Sequence, residues 1–118
     1  MTLQADSPAV AFACRHIEAY TNGDLETARG NVADDVQAET NGVHLNGIDE
    51  YMAGLTRFAA ILERGTVRVL AARGNENFAI IMTEHTAFGQ PLPSARTFTL
   101  DENGKIKQER VVFPGEAV

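Results

Sequence analysis

The chain has 118 residues, 44% hydrophobic and 22% charged, and a chain of this size buries about two-thirds of its surface on folding, enough for one ordinary domain over residues 1–118. Its 10 Lys and Arg against 16 Asp and Glu leave a net charge of −6, which repels phosphate backbones, so no nucleic-acid partner is expected. The single cysteine, Cys14, forms no intrachain disulfide, no apolar run approaches the roughly 20 residues that cross a bilayer, and the first ten residues lack a signal-peptide pattern. The expectation is a cytoplasmic domain with no membrane contact.

Ser7 followed by Pro8 predicts a helix start, because the serine oxygen can cap free N–H groups and proline loses nothing at the first helical position. The helix is expected to run to about Asn22, with Phe12, His16, Tyr20, Ala13 and Ile17 on one apolar arc. Asn22-Gly23 ends it and Asp24 can cap a second helix, whose Leu25, Ala28, Val32 and Val36 keep helical spacing through Asp34-Asp35. Residues 37–45, around Asn41-Gly42, read as a brief strand or hairpin. Ile48, Met52, Leu55, Phe58, Ala59 and Leu62 mark a third helix, closed at Gly65.

The hydrophobic period then changes to two. Residues 66–73, 78–88, 94–100 and 105–113 read as four strands separated by turn signals at Gly74–Asn77, Gly89–Pro91 and Asp101–Gly104. Three N-terminal helices packed on a mainly antiparallel sheet of four to six strands make an α+β domain.

This order resembles the nuclear-transport-factor-2-like superfamily, which includes ketosteroid isomerases, SnoaL-like polyketide cyclases and scytalone dehydratases. The matching stretches are Arg15 to Asp24, Ala33 to Val36, Leu45 to Tyr51 and Leu100 to Ile106, in that order and spacing. The resemblance implies a strongly curved sheet, a cone-shaped barrel, whose cavity holds a hydrophobic small molecule, and a homodimer through the outer sheet face. Transposing the ketosteroid isomerase pattern puts His16 where that family has an oxyanion-donating tyrosine, Thr40 where it has the proton-shuttling carboxylate, and Arg96 where it has a second, protonated acid. All three differ, so a steroid Δ-isomerase with that machinery is not expected.

Four side chains are singled out for chemistry. His16 sits on an apolar arc, where an imidazole can serve as base or merely satisfy a core partner. Tyr20, one turn on, can present its hydroxyl to a ligand oxygen or fill core volume. On the second strand, Thr83 and His85 share the face that the resemblance turns toward the cavity, whereas the pattern alone would bury Phe78, Ile80, Met82 and Phe88 on the other face. Arg96 on the third strand, if inward, needs a carboxylate or an anionic ligand beside it.

Glu109 is a candidate partner. A symmetric turn at Asp101–Gly104 pairs it with Arg96, whereas a glycine bulge pairs Leu100 with Ile106 and sends it to the other face. The bulge fits the local hydrophobic pattern better.

His16, His44 and His85 show no metal-ligand spacing, and no nucleotide-binding glycine loop is present, so neither metal nor cofactor is expected. The functional expectation is a cofactor-independent isomerase, cyclase or dehydratase acting by proton transfer on a hydrophobic carbonyl compound. His85 or His16 would be base, Tyr20 would donate to the enolate oxygen and Arg96 would orient the substrate, with Phe12, Thr40, Phe58, Thr83, Phe98 and Phe113 lining the pocket. The alternative is a non-catalytic ligand-binding or dimerisation module in which Phe12, Phe58, Phe98 and Phe113 partly plug the hollow.

Overall fold

A computed structural model describes residues 3–113. Helix α1 (Pro8–Thr21) begins as its sequence predicts, with Ser7 Oγ accepting from Val10 N–H at 3.0 Å. Helix α2 (Leu25–Gly30) is capped by Asp24 and ends six residues later, not at Val36. From Val32 the chain is strand β1 (Val32–Thr40), which turns at Asn41-Gly42 into β2 (Val43–Asn46). The second-helix expectation is therefore corrected. Between Val32 and Gln37 the register of β1 shifts, and the irregularity puts Asp34 and Asp35 outside while Val32, Ala33 and Val36 are buried. An apolar spacing of four thus arises in extended chain and imitates a helix.

Helix α3 (Ile48–Ile61) follows this hairpin, so the three helices do not all precede the sheet. Strands β3 (Arg68–Gly74), β4 (Phe78–Ala87), β5 (Gln90–Leu100) and β6 (Ile106–Val112) then run as an antiparallel meander. The six-stranded sheet has the order β2-β1-β6-β5-β4-β3, with β1 and β6 parallel. It stays open, with β2 and β3 as its edges, where a closed barrel would have none.

Strand β5 starts four residues earlier than its sequence suggests and contains Pro91 and Pro93. Both pair with β4, while β6 joins β5 only from Ala95 onward. Ala87 and Gln90 close a two-residue hairpin, so the alternate positions 91 and 93 turn their missing N–H groups to the side where no strand among the described residues pairs with them. The turn itself, Phe88-Gly89, has φ of 53° and 74°, the mirror-image geometry that matches strand twist.

The buried layer lies between α1, α3 and the inner sheet face, where Ile17, Tyr20, Val36, Ile81, Phe98 and Ile106 are almost fully enclosed. On the outer face, Ala71, Met82, Ala95 and Val112 stand side by side across four strands. Met82 and Val112 are each about half exposed there.

Candidate functional site

Strands β4 and β5 turn alternate residues inward as a pleated sheet must, burying Ala79, Ile81, Thr83, His85 and Ala87 on one and Ser94, Arg96, Phe98 and Leu100 on the other. On β6 the alternation breaks. Leu100 pairs with Ile106 as the bulged turn requires, but Thr99 then pairs with Gln108, leaving Lys107 as an extra residue. That second irregularity restores parity, so Glu109 pairs with Phe98 and is buried on the inner face. The expectation that a bulge sends Glu109 outward is thus corrected.

Arg96 and Glu109 form an ion pair, Nη1 to Oε2 at 3.7 Å, and both are almost wholly buried. Arg96 also donates to Tyr20 Oη at 2.5 Å and to Ser94 Oγ at 2.9 Å, and Ser94 Oγ lies 3.0 Å from Thr83 Oγ1. Its Nε is buried with no hydrogen-bond partner among the described residues. Glu109 accepts a short hydrogen bond from Tyr51 Oη. Burial pushes the Glu109 carboxyl above the ordinary carboxylate range, against the opposing pull of Arg96 and of the Tyr51 hydroxyl. Burial raises both tyrosine hydroxyls as well, so they remain protonated donors.

Behind Tyr51 lies His16, whose Nε2 is 2.9 Å from the Tyr51 hydroxyl and whose Nδ1 is 3.2 Å from Asn31 Nδ2. The second histidine, His85, places Nε2 3.1 Å from Thr21 Oγ1. Because that hydroxyl already donates to the Ile17 carbonyl, His85 must donate from Nε2. Its Nδ1 has no partner among the described residues. Burial first, and the Arg96 charge second, lower the pKa of His16 to about 3 and of His85 to about 4, so both imidazoles are neutral.

A cavity of about 260 Å³ opens between α3 and the β1–β2 and β6 strands. Leu45, Leu55, Phe58, Val111 and Phe113 form its walls, and Arg96, Glu109 and Tyr51 are its buried polar lining. Exposed Val43 and Arg57 stand at its mouth.

Of the residues singled out from sequence, Arg96, Thr40, Phe58 and Phe113 line this cavity. His16, Tyr20 and His85 are fully buried beside it and outside its lining. They belong to the same cluster: the Tyr20 ring lies 5.5 Å from His16 and 6.1 Å from both His85 and Phe58. Phe98 meets His16 edge-on at 6.0 Å, and Thr83 supports Ser94 from behind. Phe12 stands apart, half-buried under the Arg15 guanidinium. The sequence reading passed over Tyr51, although its place four residues before Leu55 and seven before Phe58 puts it on the apolar stripe of α3. No group of three or more His, Cys, Asp or Glu side chains among the described residues is placed to hold a metal. No described helix is long and apolar enough to cross a membrane.

Residues 13–109 match the family model of the SnoaL-like domain. No curated protein matches the chain. Among solved structures, a protein from Kribbella flavida superposes with a TM-score of 0.83 at 27% identity, over 90% of this chain and 86% of that one. A candidate ketosteroid isomerase from the same organism gives 0.74 at 16% identity, over 91% and 78%. A de novo designed protein with a curved β-sheet gives 0.81 at 17% identity, over 92% and 87%. A design reaches this backbone as closely as natural proteins do, so function has to be argued from the side chains in the cavity.

Proposed function

Because the chain belongs to the SnoaL-like domain family, we propose that it binds a small hydrophobic carbonyl compound in the α3–sheet cavity and moves a proton on it, as an isomerase, cyclase or dehydratase does. The observation that carries this reading is the pairing of an apolar hollow with a buried carboxyl, phenol and guanidinium on its lining. Apolar walls with a few convergent polar groups are the usual form of a ligand site, and a carboxyl whose pKa burial raises is a stronger base than a solvated one.

In this reading Glu109 removes a proton from the carbon beside the carbonyl. The electron pair moves onto the carbonyl oxygen, and the Arg96 guanidinium stabilises the enolate that forms. The place of Arg96 on the cavity lining supports this role, because its charge then stands beside a ligand oxygen. Return of the proton from Glu109 to a second carbon gives isomerisation; attack of the enolate carbon on another carbonyl gives cyclisation, the Glu109 proton passing to the new alkoxide oxygen; and departure of a β-hydroxyl, which takes that proton and leaves as water, gives dehydration. Tyr51 holds the carboxyl in place. His16, Tyr20 and His85 act in this account behind the cavity, as the layer that fixes Arg96 and Tyr51. The proposal needs no cofactor.

The test is exchange of α-protons for deuterium in a panel of cyclic and linear ketones. Exchange by the native chain that drops at least a hundredfold in Glu109→Gln supports the reading. Exchange that survives in Glu109→Gln removes Glu109 from the chemistry. Ligand binding without exchange would favour the binding-module alternative.

The occupant proposed for the outer sheet face is a second copy of the chain. The unbroken row Ala71, Met82, Ala95 and Val112, with half-exposed Ile80 beside Met82 on the same strand face, supports a face-to-face contact of two sheets.

A further inference from the structure

The donors around His16 all point one way, and that direction reaches the cavity. Asn31 Nδ2 can only donate, so His16 Nδ1, 3.2 Å away, is an acceptor and carries no proton. The proton of the neutral ring is therefore on Nε2, which donates to Tyr51 Oη at 2.9 Å. With one lone pair of its oxygen so engaged, the Tyr51 hydroxyl turns its own proton onto Glu109 Oε1. We propose that Asn31, three side chains away from the cavity carboxyl, is a positioning residue that fixes the His16 tautomer and through it keeps the Tyr51 proton on Glu109.

The backbone holds Asn31 for this task. It is the C-cap of α2, its N–H donates to the Ala28 carbonyl and its carbonyl accepts from Ile106 N–H at 2.9 Å, so helix, β1 and β6 fix its position together. Were the amide replaced by an acceptor, His16 would carry its proton on Nδ1 and present a bare Nε2 to Tyr51. The tyrosine proton would then turn to the histidine, and Glu109 would lose its one neutral donor. The other groups facing Glu109 do not make the same change: Arg96 on β5 is held by its bonds to Tyr20 and Ser94, and Tyr20 on α1 is engaged by Arg96. A carboxylate stripped of such a bond is a stronger base, so Asn31 tunes the group to which the proposed function gives the proton. The inference rests on that reading for its catalytic meaning, while its structural content stands without any substrate.

The experiment is nuclear magnetic resonance of the free protein, with ¹⁵N reporting the His16 tautomer and side-chain ¹³C reporting the Glu109 titration. The native chain should show His16 protonated at Nε2. Asn31→Asp should move the proton to Nδ1 and raise the Glu109 midpoint by about one pH unit, the size of one lost bond to a charged acceptor. In a Tyr51→Phe background the same substitution should leave Glu109 where Tyr51→Phe alone puts it. An Nδ1-protonated native His16 overturns the proposal. So does an Asn31→Asp shift of equal size with and without the Tyr51 hydroxyl, which would show the added charge acting through space. Neither result depends on α-proton exchange, so the chemistry assigned to Glu109 can fail separately.

Discussion

Arg96 and Glu109 face each other on the inner sheet face although neither is the other's cross-strand partner: Arg96 pairs with Val111 and Glu109 with Phe98, and the charges meet diagonally at 3.7 Å. A buried pair of this kind is costly to break from one side, because the remaining charge is left in a medium that cannot solvate it.

Arg96→Met should therefore destabilise the fold by about 3–5 kcal/mol, and Glu109→Leu added to it should restore a large part of that loss. Urea midpoints of the two single variants and the double variant close the cycle. Alone, Arg96→Met should also raise the Glu109 pKa further, since the guanidinium lowers it in the native chain. A group with a raised folded pKa loses stability as pH rises between its unfolded and folded values, so this variant should weaken toward neutral pH more than the native protein does.

The acid side is governed by the imidazoles. His16 and His85 titrate near 3 and 4 when folded and near 6.5 when unfolded. Below 6.5 the unfolded chain takes up protons that the folded chain refuses, so stability is complete above that value and falls as pH drops toward the folded values. Each neutral buried histidine costs about 1.4 kcal/mol per pH unit in that window. His16→Gln, measured by denaturant titration from pH 7 to pH 4.5, should show a shallower fall than the native chain; an unchanged slope would contradict a neutral His16.

How far the sequence reaches can be judged from these same elements. Ser7-Pro8 and the stripe of α3 are legible because each depends on local chemistry or an unbroken period. The inward face of β4 is not, since its apolar pattern alone would bury Phe78, Ile80, Met82 and Phe88, whereas Thr83 and His85 are the buried residues and Ile80, Met82 and Phe88 are exposed. The inward turn of Glu109 is not legible. It depends on two successive irregularities at Gly104 and Lys107, and each reverses the face of every residue beyond it. Lys107-Gln108, two adjacent exposed polar residues inside a strand, is the one trace in the sequence. The Asp34-Asp35 irregularity hides the end of α2, and Gly89–Pro91 reads as a turn that delays the start of β5 until its pairing with β4 from Gln90 onward is known.

Phe88 carries a positive φ of 53° while 80% exposed, so it strains the backbone and packs against little. Phe88→Asn, which suits the first position of a mirror-image turn, should raise stability by about 0.5–1 kcal/mol in thermal or urea unfolding. A loss would mean that the ring makes a stabilising contact.

Ala38 lines the cavity beside Glu109 on the neighbouring strand. Ala38→Leu should occupy the space a ligand needs and raise the Kd of any ketone that binds the native chain at least tenfold, with the fold intact by circular dichroism.

On the outer face, Met82→Lys should halve the apparent mass in light scattering if two copies join there. A native chain that is already monomeric at micromolar concentration excludes that contact.

The central claim is that the cavity carboxyl is held ready to accept a proton, and the most direct measurement is the site-resolved ¹³C titration of Glu109 in the native chain, with and without a ketone in the cavity. A midpoint above the ordinary carboxylate range that moves when the ketone enters is the result expected. A midpoint within or below that range, indifferent to the ligand, would contradict the account.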